Sequence, residues 1–377
     1  MPLPMVVVTR QLPPKVWNRL STHAHVVCWE SDSPVTHEWL LDRIPEAEGL
    51  YCLLTDRIDQ DVLRFGKRLR VVSTMSVGVD HIDIPACTVR NIPVGHTPGI
   101  LTETTADLAF ALLMAAARRI VEGADYVRQG QWAEWKPDLL LGQEVFGATL
   151  GIVGFGRIGQ AVARRAQGFR MKVLAVRSPR QTREASESSG VAGIHDESSD
   201  SSSVTFVELP TALRESDFVS LHVPLTSDTR HLMGASEFHK MKRSSTLINT
   251  SRGAVVDSTA LYHALEQRTI GGAALDVTDP EPLPASHPLL TLPNCLVIPH
   301  LGSASTATRS LMADMAVENV LAGLRGERLP HCVNSEVYQS RPLRTIIFIF
   351  ILCDLWKHFL PHALVGWKTS WRRNFRS

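Results

Sequence analysis

Residues 149–169 read TLGIVGFGRIGQAVARRAQGF, and the rest of the chain is parsed outward from them. A β-branched run, LGIV, leads into glycines at 154, 156 and 159, a G-x-G-x-x-G spacing, and RIGQAVARR continues with helical periodicity. The spacing alone is a weak signal. A strand before it and a helix after it make it a dinucleotide-binding loop. Glycine serves there for the tight turn, for close approach of backbone to pyrophosphate, and for packing of helix on strand, while amides at the helix start face the phosphates. Gly154, Gly156 and Gly159, with Arg157 and Ile158 among them, are the expected cofactor contacts.

The next strand-like run ends in VLAVRSPR, residues 173–180. At this distance from the glycine loop a carboxylate usually accepts hydrogen bonds from the adenosine ribose. Arg177, with Ser178 and Arg180 beside it, reverses the sign, and arginine's planar donors suit phosphate oxygens. NADPH/NADP is therefore the expected cofactor and NADH a weaker one. The plain alternative is a solvated basic loop.

Bulk composition sets the outer bounds. A chain of 377 residues exceeds one small core, so two domains are expected. Lys plus Arg (39) nearly cancel Asp plus Glu (38), which leaves no global field for nucleic acid or an anionic membrane and favours a small-molecule ligand. The six cysteines include no CxxC pair, so neither a disulfide framework nor a metal site is expected, and a reduced, cytoplasmic setting fits. MPLPMVVVTR at the start lacks the features of a secretory signal, and the final NFRS is no peroxisomal signal.

Short β-branched runs alternating with helix-like stretches predict parallel α/β architecture. Runs at 6–9, 50–54, 71–74 and 93–95 read as four strands, 101–130 as one long linking helix, and the segment from 149 to 302 as six further strands. TATRSLMADMAVENVLAGLRG, helical and ending in glycine, is expected to return to the first unit. The layout is then a discontinuous substrate domain, 5–100 plus 301–335, and a cofactor domain, 101–300. Residues 179–204 are serine-rich and read as a flexible insertion. Residues 336–377 read as an atypical tail whose apolar run at 346–352 falls far short of the ~20 residues that span a bilayer.

Three later loops carry chemistry. NTSRGAVVD (249–257) offers Arg252, a guanidinium suited to holding a carboxylate bidentately; LDVTDPEPLP (275–284) offers Glu281, and IPHLGSAS (298–305) offers His300. Singly, these read as an ion-pair partner, a surface acid and a loop histidine. Together, each following a strand downstream of a dinucleotide loop, they point to an active site.

SVGVDHID (76–83), HTPGILTETTAD (96–107), GIVGFGRIGQ, HVPLT (222–226), NTSRG, LDVTDPEP and PHLGSAS resemble, in order and spacing, the D-isomer-specific 2-hydroxyacid dehydrogenases over roughly residues 5–335. STMSVGVDH, GQWAEWKP and DVTDPEPLPASHPLLTLPNC are most similar to that family's glyoxylate/hydroxypyruvate reductase branch. The resemblance implies an α/β fold of two Rossmann-like domains with parallel sheets, of the formate/glycerate dehydrogenase type, an active site in the interdomain cleft, and a homodimer. It implies NADPH-dependent reduction of glyoxylate to glycolate and of hydroxypyruvate to D-glycerate. Arg252 would bind the substrate carboxylate and polarise the C2 carbonyl, His300 would protonate the carbonyl oxygen, and Glu281 would hydrogen-bond the imidazole. A carboxylate beside an imidazole favours the imidazolium, the form an acid needs.

Val77 and Gly78 would form a second clamp on the substrate carboxylate through their backbone. Leu53 would be an apolar wall, and Trp135 would reach toward the partner subunit's site and limit substrate size. Thr105, Pro224, Thr250, Asp276 and Gly302 match cofactor-contacting positions. The alternative from another class is a dinucleotide-sensing corepressor-like protein of the same fold with little turnover, because fold does not fix function.

Overall fold

The computed structural model describes residues 2–177 and 204–339. They form two units: one comprises the chain up to Thr97 and the described residues from Ala313 onward, the other Pro98–Met312.

In the first unit, β1 (Met5–Val8), β2 (His25–Cys28), β3 (Gly49–Cys52), β4 (Val71–Thr74) and β5 (Val94–Gly95) form one parallel sheet in the order β2-β1-β3-β4-β5. The interior strands β3 and β4 are buried throughout, and β1 from Val6 onward, because a parallel sheet covered on both faces buries its side chains; Val6, Val7 and Val8 are all fully buried. Helices α1 (Pro14–Ser21), α2 (His37–Arg43), α3 (Gln60–Phe65) and α4 (Ile84–Val89) connect them. Thr36, Asp59 and Asp83 cap the last three by accepting hydrogen bonds from first-turn amides. The reading of four strands missed β2. HVVC is a short, half-exposed edge segment whose pattern carries too few residues to register.

One face of this sheet packs Val6, Val8, Tyr51 and Val71 against Ala313, Ala316, Val317, Val320 and Leu321. Those five residues belong to Thr306–Arg325, the last α-helix among the described residues, which packs on the sheet of the first unit.

The second unit opens with α5 (Thr102–Ala117) and α6 (Ile120–Arg128). The single linking helix expected over 101–130 is therefore corrected to two. Arg119 between them takes a left-handed backbone, φ 50°, which ends the helical path, and the Ala117 carbonyl accepts instead from the Gln143 amide at 2.7 Å. There follow β6 (Thr149–Val153), α7 (Arg157–Gln167), β7 (Lys172–Val176), β8 (Val204–Phe206), α8 (Leu209–Glu215), β9 (Phe218–Leu221), α9 (Ala235–Lys240), β10 (Thr246–Asn249), α10 (Ser258–Glu266), β11 (Gly272–Leu275) and β12 (Cys295–Val297).

All seven strands are parallel, in the order β12-β11-β10-β9-β6-β7-β8. Helices α5 and α7 cover one face through Phe110, Leu113, Val162 and Ala166; α8, α9 and α10 cover the other through Leu213, Phe238, Leu261 and Leu265. The count of six strands is corrected to seven among the described residues, since β8 begins at Val204, which had been assigned to the serine-rich insertion. The rest of that insertion, and the expected tail beyond Gln339, lie outside the described residues. Among the described residues no helix is long and apolar enough to cross a membrane.

Candidate active site

Strand order reverses between β6 and β9, and ligands of open α/β sheets bind beyond the carboxyl ends of the strands at such a switch point. The glycine loop occupies this place. Gly154 follows β6 with φ +97°, and a Cβ there would stand 2.7 Å from the His222 carbonyl oxygen; at Gly159 a Cβ would stand 2.3 Å from the Gly154 oxygen. Both contacts are with rigid backbone, so no larger residue fits.

Gly156 differs: it is the N-cap residue of α7, no side chain caps that helix, and a Cβ would meet nothing. The first-turn amides of an 11-residue helix thus open onto space at the switch point, with Arg157 exposed and Ile158 half-buried beside them. Thr250, the residue after β10, is buried with a hydroxyl that has no hydrogen-bond partner among the described residues. Uncapped amides and an orphaned hydroxyl are what a dinucleotide would satisfy, so these residues fit the group.

Arg177, immediately after β7, is exposed, and its guanidinium carbon lies 3.9 Å from the Phe206 ring centroid. Ser178 and Arg180 lie outside the described residues.

Three neighbouring strand ends carry the candidate reactive groups. Asn249, the buried last residue of β10, accepts through Oδ1 from the Ser251 amide and hydroxyl and donates through Nδ2 to the Arg252 carbonyl at 2.9 Å. This side-chain turn sets the loop's path. A Cβ on Gly253 would stand 1.9 Å from the Thr278 oxygen, so only glycine lets the Arg252 loop lie against the loop leaving β11. Arg252 itself is half-buried and donates to the Ser251 carbonyl at 2.8 Å.

Glu281, six residues past β11, places Oε1 2.5 Å from His300 Nδ1. The bond leaves Nε2 as the nitrogen directed elsewhere. His300 has φ +51°, a left-handed conformation unusual for a non-glycine residue, and its amide donates to the Asp276 carbonyl at 2.9 Å.

The buried Asp276 carboxylate accepts from the amides of Leu301 and Gly302, and Thr105 Oγ1 donates to the Gly302 carbonyl at 3.0 Å. Burial pushes the Asp276 carboxyl above its ordinary value, and the Leu301 amide, the nearby His300 and the Gly302 amide oppose it. Three expected cofactor contacts, Thr105, Asp276 and Gly302, thus form one polar cluster adjoining the histidine.

Two contributors escaped the sequence reading. Asn249 had a usable signal, an asparagine two residues before a serine at a strand end. His222 had none: its Nε2 lies 2.8 Å from Ser220 Oγ, its buried Nδ1 has no partner among the described residues, and burial pushes its pKa down to about 4. From the same stretch Pro224, which was expected to contact the cofactor, is exposed and accepts from Thr229 Oγ1 at 2.6 Å.

In the first unit Leu53 follows β3 and donates its amide to Asp56 at 2.7 Å. Val77 and Gly78 follow β4; their carbonyls accept from His96 Nδ1 (3.0 Å) and Ser76 Oγ (2.6 Å), and their amides have no acceptor among the described residues. Trp135, in the loop after α6, is 76% exposed. A separate cleft of about 840 Å³ lies at the amino ends of β10, β11 and β12, lined in part by Arg119, Val121, Tyr126, Leu141 and Thr246. It is at the opposite ends of these strands from Arg252, Glu281 and His300. Among the described residues His37, Asp59 and Asp61 approach metal-ligating geometry, but Arg57 (3.1 Å) and Arg64 (3.2 Å) already pair with the two carboxylates.

Comparison with known proteins identifies the family and the fold. Residues 110–302 match the family described as D-isomer specific 2-hydroxyacid dehydrogenase, NAD binding domain. The chain is 47% identical over 340 residues to a glyoxylate reductase of Korarchaeum cryptofilum, covering 90% of this chain and 98% of that one. It is similar to the crystal structure of a Thermus thermophilus protein, with TM-score 0.77, 46% identity, and coverage of 87% and 99%. It is also similar to an NADPH-dependent glyoxylate/hydroxypyruvate reductase of Sinorhizobium meliloti in complex with NADP and malonate, with TM-score 0.73, 29% identity, and coverage of 88% and 96%.

Proposed function

The chain belongs to the D-isomer-specific 2-hydroxyacid dehydrogenases, NAD(P)-dependent oxidoreductases acting on CH–OH groups, and from that premise we propose that it reduces glyoxylate to glycolate, and hydroxypyruvate to D-glycerate, with NADPH. The observation that carries the reading is the 2.5 Å contact between Glu281 and His300 Nδ1, with the half-buried Arg252 on the loop after β10.

Glu281 holds the proton at Nδ1 and orients the ring, so Nε2 delivers the second proton to the C2 oxygen of the 2-oxo acid. Arg252 binds the substrate carboxylate and polarises that carbonyl, an interaction that strengthens as charge develops on oxygen. On the family's pattern Val77 and Gly78 would supply amide donors for a carboxylate, and Leu53 and Trp135 would limit the size of the substrate.

Gly154, Gly156, Gly159, Arg157, Ile158, Pro224 and Thr250 would hold the cofactor, and Thr105, Asp276 and Gly302 would adjoin its nicotinamide end. Arg177, Ser178 and Arg180 would receive the 2'-phosphate. When bound, the reduced nicotinamide supplies the hydrogen and electron pair that C2 gains. Reduction is the direction favoured, because cells keep the NADPH pool reduced.

The proposal includes a homodimer. Ile120, Val121, Val127, Trp132, Trp135 and Leu141 expose apolar side chains along α6 and the loop beyond it, next to the 840 Å³ cleft. Several large apolar side chains exposed on neighbouring segments favour a protein contact. Sedimentation of the purified chain at the monomer mass would refute it. The free thiols of Cys28, Cys52, Cys87, Cys295 and Cys332 suit the cytoplasm.

Steady-state rates for NADPH and NADH, each with glyoxylate and with hydroxypyruvate, test the whole reading. We expect turnover with both acids and a higher kcat/KM with NADPH. A preference for NADH overturns the cofactor assignment, and cofactor binding with negligible turnover favours a dinucleotide sensor.

A further inference from the structure

Phe206 ends β8, at the edge of the sheet, and is 43% exposed, an unusual place for a large aromatic side chain. Its surroundings give a reason. Phe206 pairs in register with Ala175 of β7, and Arg177 lies two residues beyond Ala175, hence on the same face. The Val207 amide donates to the Ala175 carbonyl at 3.0 Å and holds this pairing to the end of the strands.

The Arg177 guanidinium then sits over the Phe206 ring, 3.9 Å from its centroid, and no carboxylate among the described residues pairs with it. On its other side Phe206 meets Phe155, whose ring stands edge-on at 5.3 Å and 89°. Phe155 is the residue between Gly154 and Gly156. A ladder of contacts therefore runs from the dinucleotide loop through Phe155 and Phe206 to the arginine.

A cation resting on an aromatic face is held by the ring's quadrupole and loses none of its N–H donors to a competing acceptor. We infer that Phe206 is a positioning residue for cofactor choice: its ring holds the Arg177 guanidinium where an adenosine 2'-phosphate is received, at a fixed place relative to the glycine loop. This rests on the reading that the chain uses NADPH.

Calorimetric titration of the full-length protein with adenosine 2',5'-bisphosphate and with adenosine 5'-monophosphate isolates the effect without turnover. The unaltered protein should bind the bisphosphate more tightly, and Arg177→Ala should reduce that preference. Phe206→Leu, which keeps an apolar side chain against Phe155 but lacks a π face, should lower the ratio of the two affinities about two- to fivefold, the size of an exposed cation–π contact. The monophosphate affinity should stay within about twofold. Phe206→Trp, with a stronger ring, should keep the ratio.

An unchanged ratio in Phe206→Leu overturns the inference, and so does equal weakening of both ligands, which would mark Phe206 as a structural residue. No 2'-phosphate preference in the unaltered protein would instead overturn the NADPH reading beneath it.

Discussion

Asp276→Asn separates a cofactor contact from a positioning role. The carboxylate receives two amides, Leu301 and Gly302, directly after the left-handed His300. An asparagine keeps one acceptor oxygen and turns its NH2 toward the other amide, so one buried N–H loses its partner. A hydrogen bond to a charged group contributes about 1.5–3 kcal/mol. Burial of Asp276 penalises its charge and raises its pKa, so removing the charge offsets part of that loss.

The net cost to folding should be about 1–2 kcal/mol, readable by urea unfolding. It is comparable to the ~1–3 kcal/mol that a residue held in a sparsely populated backbone region costs, so the His300 loop is expected to relax. If about 1.4–2.8 kcal/mol of alignment is lost in the transition state, kcat falls ~10- to 100-fold, with KM for NADPH changed far less. A loss confined to KM for NADPH, or a kcat within about twofold of the unaltered enzyme, refutes the positioning argument.

The remaining predictions concern the groups around it. His300→Ala should lower kcat with glyoxylate by ~10²- to 10⁴-fold while the circular dichroism spectrum is unchanged; an unaffected rate removes His300 from the mechanism. Arg252→Ala should raise KM for the 2-oxo acid and lower kcat as well, and Arg252→Lys should restore little of either, because an ammonium cannot make the bidentate contact. His222 has a folded pKa of about 4 against an ordinary 6.5, so its contribution to stability is present above about pH 6.5 and is lost as pH falls toward 4. A shift of this size corresponds to up to about 3 kcal/mol. His222→Asn should therefore flatten the decline in urea stability between pH 7 and pH 4, and an unaltered slope would show that His222 does not cause it.

Much of this molecule is readable from single residues in context. The glycine loop is legible because each glycine answers a steric demand, and the Gly154 and Gly159 backbones prove too crowded for a side chain. Arg252, Glu281 and His300 are legible because each follows an apolar run, and parallel strands place such loops along one edge. The segments that misled were those with weak local pattern. HVVC is too short, VTF adjoins a serine-rich run, and the path from 101 to 130 looks continuous although Arg119 breaks it. The break depends on one backbone angle that no periodicity reports.

By itself the sequence determined the α/β class and the dinucleotide loop and supplied the candidate reactive side chains, because periodicity and residue chemistry are local properties. Tertiary structure decided how those groups act on one another: that Glu281 meets His300 at Nδ1, that Asp276 binds the Leu301 and Gly302 amides, and that Phe206 lies against both Arg177 and Phe155. The physical reason is strand order. Neighbours in the sheet, β12 beside β11 and β8 beside β7, are separated in the chain by long crossovers, so their contacts exist only once the sheet is assembled.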